Sequence, residues 1–178
     1  MLQALNRIDP HTFRASEKLP IVVVLDRVRS LYNVGSIFRT SDAFRIEALY
    51  LCGYTGTPPH RDIQKTALGA TESVVWQHYE TTELAITHLK DNGYKVYAVE
   101  QTDESVYLQD VELSNDSKIA LVFGNEVEGV ADESLMLCDA AIEIPQFGTK
   151  HSFNITISVG IVLWELSKKL GWTHSNPR

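Results

Sequence analysis

Two short runs of apolar residues limit what this chain can fold into. Residues 21–25 read IVVVL and residues 119–123 read IALVF, and neither run contains a polar side chain. An unbroken apolar run of this length is typical of a strand covered on both faces, as in a parallel sheet, because a half-exposed strand alternates apolar and polar residues. We predict four further strands, at residues 48–52, 73–78, 95–99 and 141–144.

Helical patterns lie between these strands. We place helices at residues 34–44, 64–70, 81–92 and 132–137, and a last, strongly apolar helix after residue 152. Thr81 or Thr82, Asp132 and Ser152 suit the N-caps of the last three, and Gly160 indicates close packing of the final helix. Residues 103–117 are polar and irregular. The alternation predicts an α/β fold, a Rossmann-like parallel sheet with helices on both faces.

Composition fits one globular domain with no membrane partner. The 178 residues carry a net charge of −7, which argues against broad nonspecific binding of nucleic acid. Cys52 and Cys138 are far apart and lack ligand-like neighbours, so we expect no zinc site or disulfide and a cytoplasmic location. We find no run long enough to span a bilayer and no signal peptide.

The predicted domain covers residues 21–170, between an N-terminal extension at residues 1–20 and a tail at residues 171–178. Leu2, Leu5 and Ile8 could form an amphipathic turn that Pro10 ends. The extension is then either a loosely docked arm or a segment that binds a partner or substrate.

Three loops after predicted strands carry the polar side chains typical of a ligand site. The first leads into NVGSIFR, where Arg39 could bind phosphate with two hydrogen bonds, although Asn33 could simply cap a helix beside an exposed arginine. The second, FGNEVEG, offers backbone donors beside Glu126 and Glu128, so a cationic ligand fits it better than a phosphate; a solvated acidic turn is the alternative.

The third loop, IPQFGTKHSFN, offers backbone groups that could bind an adenine edge and neutral hydrogen bonds from Ser152 and Asn154. No glycine-rich dinucleotide or P-loop pattern occurs in the chain. His60 and His151 are candidate bases by residue type, but each could equally be an ordinary loop histidine.

These three loops lie in stretches that resemble the signatures of one family. Residues 25–44 (LDRVRSLYNVGSIFRTSDAF), 121–130 (LVFGNEVEGV) and 144–165 (IPQFGTKHSFNITISVGIVLWE) resemble, in order, the three signatures of the SpoU (TrmH-type) branch of the SPOUT RNA methyltransferases. The third stretch differs from the family signature only by conservative changes. It has Phe153 where the family usually has leucine, and NITIS in place of a run like NVSVA.

The resemblance implies S-adenosylmethionine (AdoMet)-dependent methylation of a ribose 2′-hydroxyl in tRNA or rRNA, without a metal. It also implies a homodimer with the active site near the subunit interface, and a C-terminal trefoil knot. In that knot, residues 144–154 and the following helix thread through the region of residues 124–129.

The resemblance also assigns site residues. Arg39 would bind the RNA phosphate beside the target ribose and assist loss of the hydroxyl proton; Asn33 and Glu126 would shape the site. Ser152 and Asn154 would orient Arg39 or the ribose. The implied AdoMet pocket consists of Val99, Glu100, Gly124, Asn125, Gly129, Ile144, Gln146, Ser152 and Phe153.

An acidic chain needs a local basic face to bind RNA. The predicted RNA contacts are Arg27, Arg29, Arg39, His60, Arg61 and Lys65, which with Arg45 would form such a face, doubled in a dimer. Two other functions stay open. One is a non-catalytic RNA-binding or ribosome-assembly protein on the same fold, and the other is a flavodoxin-like binder of a small ligand.

Overall fold

A seven-stranded parallel sheet forms the centre of the molecule. The computed structural model describes residues 9–150 and 152–172 of the chain. The strands are β1 (Leu19–Asp26), β2 (Ile46–Cys52), β3 (Trp76–Tyr79), β4 (Lys95–Val99), β5 (Val106–Tyr107), β6 (Ile119–Phe123) and β7 (Ala140–Glu143). The strand order is β3-β2-β1-β6-β4-β7-β5, so the chain builds outward from β1 and later inserts β6 between β1 and β4.

Helices cover both faces of this sheet, as the buried strands predict. Along β1, Ile21, Val23 and Leu25 enter one apolar cluster, whereas Val22 and Val24 enter the other. All five are fully buried. The helices are α1 (Pro10–Ala15), α2 (Leu31–Phe44), α3 (Arg61–Ala67), α4 (Ala70–Ser73), α5 (Thr82–Asp91), α6 (Asp132–Leu137) and α7 (Ile155–Lys169). The fold class predicted from the apolar runs is therefore confirmed.

Several predicted strand bounds are wrong. β1 and β2 each begin two residues before the predicted starts at residues 21 and 48. The predicted strand at residues 73–78 begins instead at Trp76, because the preceding residues form the one-turn helix α4. β7 lies one residue earlier than predicted. β5 was missed entirely, since it is two exposed residues at the sheet edge and has no periodicity, and a short 3-10 helix (Leu108–Asp110) follows it.

The predicted starts or N-caps of four helices also need correction. α2 begins at Leu31, capped by the hydroxyl of Ser30, which places Asn33 in its first turn rather than in the preceding loop. The N-cap of α7 is Asn154, not Ser152. Asp132 is the first residue of α6 and no side chain caps that helix. α3 starts at Arg61, ahead of the predicted residue 64, while Thr81 caps α5 as one of the two predicted choices.

The predictions for the N-terminal extension and for Gly160 also differ from the structure. Pro10 begins α1 rather than ending a helical turn, and Phe13 of that helix is buried, so this part of the arm is docked. Leu2, Leu5 and Ile8 lie outside the described residues. A side chain added at Gly160 would meet no described atom within 4 Å, so no close packing explains this glycine within the described chain.

Within the described ranges, no helix combines the length and the apolarity that crossing a bilayer requires. Cys52 and Cys138 are both unpaired thiols, and burial raises the pKa of each to about 12. Neither thiol is therefore ionised near neutral pH.

Candidate active site

A cavity of about 490 Å³ opens at the carboxyl ends of the central strands. Val99, Phe123 and Ile142, at or near the ends of β4, β6 and β7, form its apolar floor. The insertion of β6 between β1 and β4 brings the loop after β6 over this edge of the sheet. The volume of the cavity lies in the range of about 300–1,000 Å³ that is usual for small-molecule sites.

The structure brings the predicted cofactor residues together around this cavity. All nine of them line it, and so do Glu126 and Asn154. Their roles in binding remain predictions. Sequence reasoning did not assign a further set of lining residues, which are Gln101, Phe123, Val127, Glu128, Ile142, Glu143, Ile155 and Ser158. Phe123 and Ile142 could have been found, because each closes an apolar run.

The loop at residues 124–130 is held in shape by its own backbone and by Asn125. The Asn125 side-chain oxygen accepts hydrogen bonds from the N–H groups of Val127 at 2.9 Å and Glu128 at 2.8 Å. Asn125 and Gly129 also exchange backbone hydrogen bonds. A Cβ atom at Gly124 would lie 1.9 Å from the carbonyl carbon of Gly129. Only glycine fits at position 124, because the loop closes directly onto it.

Asp26 anchors the far end of this loop, and sequence reasoning missed it. Its carboxylate is 1% exposed and accepts hydrogen bonds from Ala131 N–H at 2.9 Å and Thr82 Oγ1 at 2.6 Å. Arg27 Nε donates to it at 3.1 Å. A buried carboxylate needs such partners because its desolvation is costly. The signal was present, since an acidic residue directly follows the apolar run at residues 21–25.

Glu126 connects the cavity loop to the start of α2. Its carboxylate accepts hydrogen bonds from Asn33 Nδ2 at 2.9 Å and from the N–H groups of Arg29 and Ser30 at 3.2 and 3.3 Å. Partial burial raises the pKa of Glu126, but the hydrogen bond from Asn33 and the backbone donors outweigh it, so that the pKa is lowered overall. Asn33 and Glu126, both predicted to shape the site, are in contact.

We expect Glu126→Gln to lower the free energy of unfolding by about 1 kcal/mol at neutral pH, as the loss of a negative charge beside a helix N-terminus does. Because the pKa is lowered in the folded state, this contribution is present above the ordinary carboxyl pKa and is lost as the pH falls through the folded value. Urea unfolding at several pH values should therefore show the two proteins converging below about pH 4.3.

Glu104→Gln is the matched control, since Glu104 is exposed and has no hydrogen bond to a described residue. A constant difference between Glu126→Gln and the parent protein at every pH would show that the carboxylate charge does not hold α2.

The cavity is acidic around its apolar floor. Four carboxylates line it, those of Glu100, Glu126, Glu128 and Glu143, and none of the described lining residues is Lys, Arg or His. Glu100 accepts from Val130 N–H at 3.1 Å, while Glu143 accepts from Gln101 and Ser105, each at 2.7 Å. A ligand with positive charge and an apolar ring system suits this lining, whereas a phosphate-rich nucleotide does not.

Arg39 lies outside the cavity. It is exposed on α2, six residues after Asn33 and therefore about 9 Å further along the helix axis. Its side chain makes no hydrogen bond or ion pair with Ser152, Asn154 or any other residue in the described ranges. The side-chain oxygen of Asn154 accepts hydrogen bonds from Thr156, at 2.9 Å from its N–H group and 2.6 Å from its Oγ1. The predicted orientation of Arg39 by these side chains is absent within one chain.

Four of the six predicted RNA-binding residues have polar partners in the described ranges, and two do not. Arg27 and Arg29 lie within 3.8 and 3.9 Å of Glu128, so that their charges are partly balanced. His60 caps α3, accepting from Asp62 N–H at 3.1 Å, and Lys65 pairs with Asp62 at 3.3 Å. Like Arg39, Arg61 is exposed and has no polar partner in the described ranges.

Arg45 and His151 were also named as candidate site residues. Arg45 follows the end of α2, and its carbonyl accepts from Leu19 N–H where β1 starts. It therefore lies at the opposite end of the sheet from the cavity, and its inclusion in the basic face was wrong. His151, a candidate base, lies outside the described residues. No group of His, Cys, Asp or Glu within the described ranges could hold a metal ion.

Proteins similar to this chain in sequence point to one family of RNA methyltransferases. TrmH-family proteins from Staphylococcus aureus are 28% identical over 156 residues, which make up 88% of this chain and 62% of each relative. The chain therefore spans less than two thirds of their length. The tRNA (guanosine(18)-2′-O)-methyltransferase of Thermus thermophilus is 28% identical over 84% of this chain and 75% of its own.

A solved structure with the same fold carries the cofactor. The AdoMet-bound rRNA methyltransferase from Sinorhizobium meliloti superposes with a TM-score of 0.78 and is 30% identical, over 88% of this chain and 59% of that one. The model of the SpoU rRNA Methylase family matches residues 20–164 and so includes the sheet, the cavity loops and most of α7. This chain therefore belongs to the SpoU rRNA Methylase family.

Proposed function

We propose that this protein is an AdoMet-dependent RNA methyltransferase that modifies a ribose 2′-hydroxyl in tRNA or rRNA. The observation that carries the proposal is the charge of the cavity, in which four carboxylates and no described cationic side chain surround an apolar floor. Family membership supports it. So do the 2′-O-methyltransferase name of the Thermus relative and the AdoMet bound in the Sinorhizobium structure.

The described residues fit AdoMet, which carries an ammonium group and a sulfonium group beside an adenine ring. The carboxylates of Glu100 and Glu143 would balance these charges. Ile144 and Phe153 would cover the adenine, with backbone groups of residues 144–146 reading its edge. Phosphate-bearing cofactors would find no described cation in the lining.

AdoMet supplies a methyl group on a positively charged sulfur, which leaves readily as a thioether. In the proposed reaction the ribose 2′-oxygen forms a bond to the methyl carbon while the carbon–sulfur bond breaks. The products are 2′-O-methylribose, S-adenosylhomocysteine and a proton. The electrophile is already activated, so the proposal requires no metal.

The protein must orient the hydroxyl and help remove its proton. We assign the orientation to Arg39, which binds the adjacent phosphate and stabilises negative charge on the attacking oxygen. A guanidinium is a poor general base, so the proton passes to the phosphate or to solvent. Asn33 and Glu126 hold the start of α2 against the cavity loop.

Two measurements test this function. Calorimetry should show binding of AdoMet and of S-adenosylhomocysteine to the purified protein without added metal. The methyl group of labelled AdoMet should then appear in total RNA from a strain that lacks the gene. AdoMet binding without transfer to any RNA would support the non-catalytic alternative, and absence of AdoMet binding would contradict the whole proposal.

We propose that the protein is a homodimer built on one face of α7. Ile157 and Trp164 are 53% and 56% exposed, and Gly160 lies between them, where an added Cβ atom would meet no described atom within 4 Å. Exposed apolar side chains on one helix face are typical of an interface. The dimer would bring Arg39, which lacks a described partner, near the partner subunit's cavity.

Trp164→Lys should convert the dimer into a monomer, because a lysine at the centre of an apolar interface lacks a partner for its charge. Light scattering at micromolar concentration measures this directly. The matched control is Leu84→Lys on α5, since Leu84 is 54% exposed and α5 covers the opposite face of the sheet. A parent protein that is already monomeric would refute the dimer.

We also propose the trefoil knot and a cytoplasmic location. The knot follows from family membership, and the parallel sheet with its inserted β6 agrees with it. The location follows from the RNA substrate and from cysteines that remain unpaired.

A further inference from the structure

Two exposed tyrosines flank the start of α2. Tyr32, in the first turn, is 48% exposed, and Tyr54, in the loop after β2, is 54% exposed. Neither contributes to the apolar clusters on the two faces of the sheet. These exposed aromatic rings beside a candidate active site therefore form a candidate surface for binding a ligand.

Hydrogen bonds hold both rings in place. Tyr54 OH accepts from Arg29 Nε at 3.3 Å. Tyr32 OH donates to Asp62 Oδ1 and accepts from Lys65 Nζ, each at 3.3 Å. A ring already fixed by its hydroxyl loses little conformational freedom when a planar ligand stacks on it.

A cation accompanies each ring. Lys65 Nζ lies 5.5 Å from the centre of the Tyr32 ring, and the Arg29 guanidinium carbon lies 5.9 Å from the centre of the Tyr54 ring. In the described ranges, the other exposed aromatic side chains lack such a neighbour; they are Tyr107, Phe147, Phe153 and Trp164. An aromatic face beside a cation suits a nucleotide, whose base stacks while its phosphate meets the charge.

Both tyrosines connect to the proposed site. Arg29 reaches from Tyr54 to within 3.9 Å of Glu128, which lines the cavity. Tyr32 and Arg39 are seven residues apart on α2 and thus share one helix face, about 10 Å apart along the axis. This is comparable with the distance covered by a few nucleotides of extended RNA.

We propose that Tyr32 and Tyr54 stack on bases of unpaired nucleotides next to the target ribose, so that the substrate is a loop or single-stranded segment of RNA. The inference rests on the proposed function and adds the structural class of the substrate. In a duplex the faces of the bases are covered by their neighbours, and such rings would have nothing to stack on. Stacking also binds RNA without a large positive charge, which agrees with a chain of net charge −7.

The test uses a fluorescent oligoadenylate of about twelve nucleotides and the same strand annealed to oligouridylate. Anisotropy at one low salt concentration measures both affinities for the full-length protein. Tyr32→Ala and Tyr54→Ala should each weaken binding of the single strand about tenfold. Tyr32→Phe and Tyr54→Phe keep the ring and should stay within about twofold of the parent protein.

Tyr107→Ala is the matched control, because Tyr107 is 49% exposed on the edge strand β5 and does not line the cavity. It should leave RNA affinity unchanged, and AdoMet affinity should be unchanged in every variant. Parent-like binding by both alanine variants would overturn the inference, as would equal affinity for duplex and single strand. Failure of the proposed function is distinguishable, since it would appear as absent AdoMet binding or absent methyl transfer in the parent protein.

Discussion

Arg39→Ala is expected to lower the rate of methyl transfer about a hundredfold or more, the usual loss when one group that stabilises developing charge is removed. The fold and the affinity for AdoMet should stay unchanged, because Arg39 is exposed, does not line the cavity and has no polar partner in the described part of the chain. An interaction made mainly in the transition state lowers turnover more than binding. Single-turnover methylation of the RNA substrate measures this.

Two further variants sharpen the test of Arg39. Arg39→Lys should also lose most activity, since a point charge cannot replace the planar, two-pronged guanidinium. Arg61→Ala removes another exposed arginine without a described partner, but one at the start of α3. It should raise the KM for RNA and leave turnover nearly unchanged. Activity of Arg39→Ala within a few-fold of the parent protein would defeat the assigned role.

Gly124→Ala is expected to reduce AdoMet affinity at least about tenfold, the effect of losing about 1.4 kcal/mol of binding free energy. The new Cβ atom would lie 1.9 Å from the Gly129 carbonyl carbon and 2.1 Å from Val130 N, so the loop must move out of the cavity wall. Forced repacking of this kind also lowers the free energy of unfolding by about 1–3 kcal/mol. Calorimetry and urea unfolding measure the two effects separately.

Gly148→Ala serves as the control for Gly124→Ala. Gly148 is in the other loop that bounds the cavity, and a Cβ atom there would meet no described atom within 4 Å. It should bind AdoMet like the parent protein. If Gly124→Ala folds and binds AdoMet with parental affinity, the loop at residues 124–130 does not form the cofactor site.

The sheet could be predicted from sequence because its strands are buried on both faces. The observed bounds of β4 and β6 match the predicted ones, since the apolar run itself defines these strands. Strand ends in polar surroundings were less predictable. β5 consists of two exposed residues, Val106 and Tyr107, and is formed by pairing with β7 rather than by its own composition.

Nine of the cavity-lining residues could be named as cofactor contacts from the family resemblance, but the connections between residues could not be predicted. Ser152 and Asn154 both suit a helix cap by residue type, and only the path of the chain selects Asn154. The carboxylate of Asp26 reaches Ala131, 105 residues away, and local sequence carries no trace of this contact. Tyr32 and Tyr54 likewise acquire their cations, Lys65 and Arg29, through folding.

One measurement tests the central claim most directly. The parent protein and Arg39→Ala are incubated with AdoMet and with total RNA from a strain that lacks the gene, and the RNA is digested to nucleosides for mass spectrometry. We expect a 2′-O-methylated nucleoside to appear with the parent protein and to be nearly absent with Arg39→Ala. A methyl group found on a base instead of the ribose, or no methylated nucleoside at all, would contradict the account.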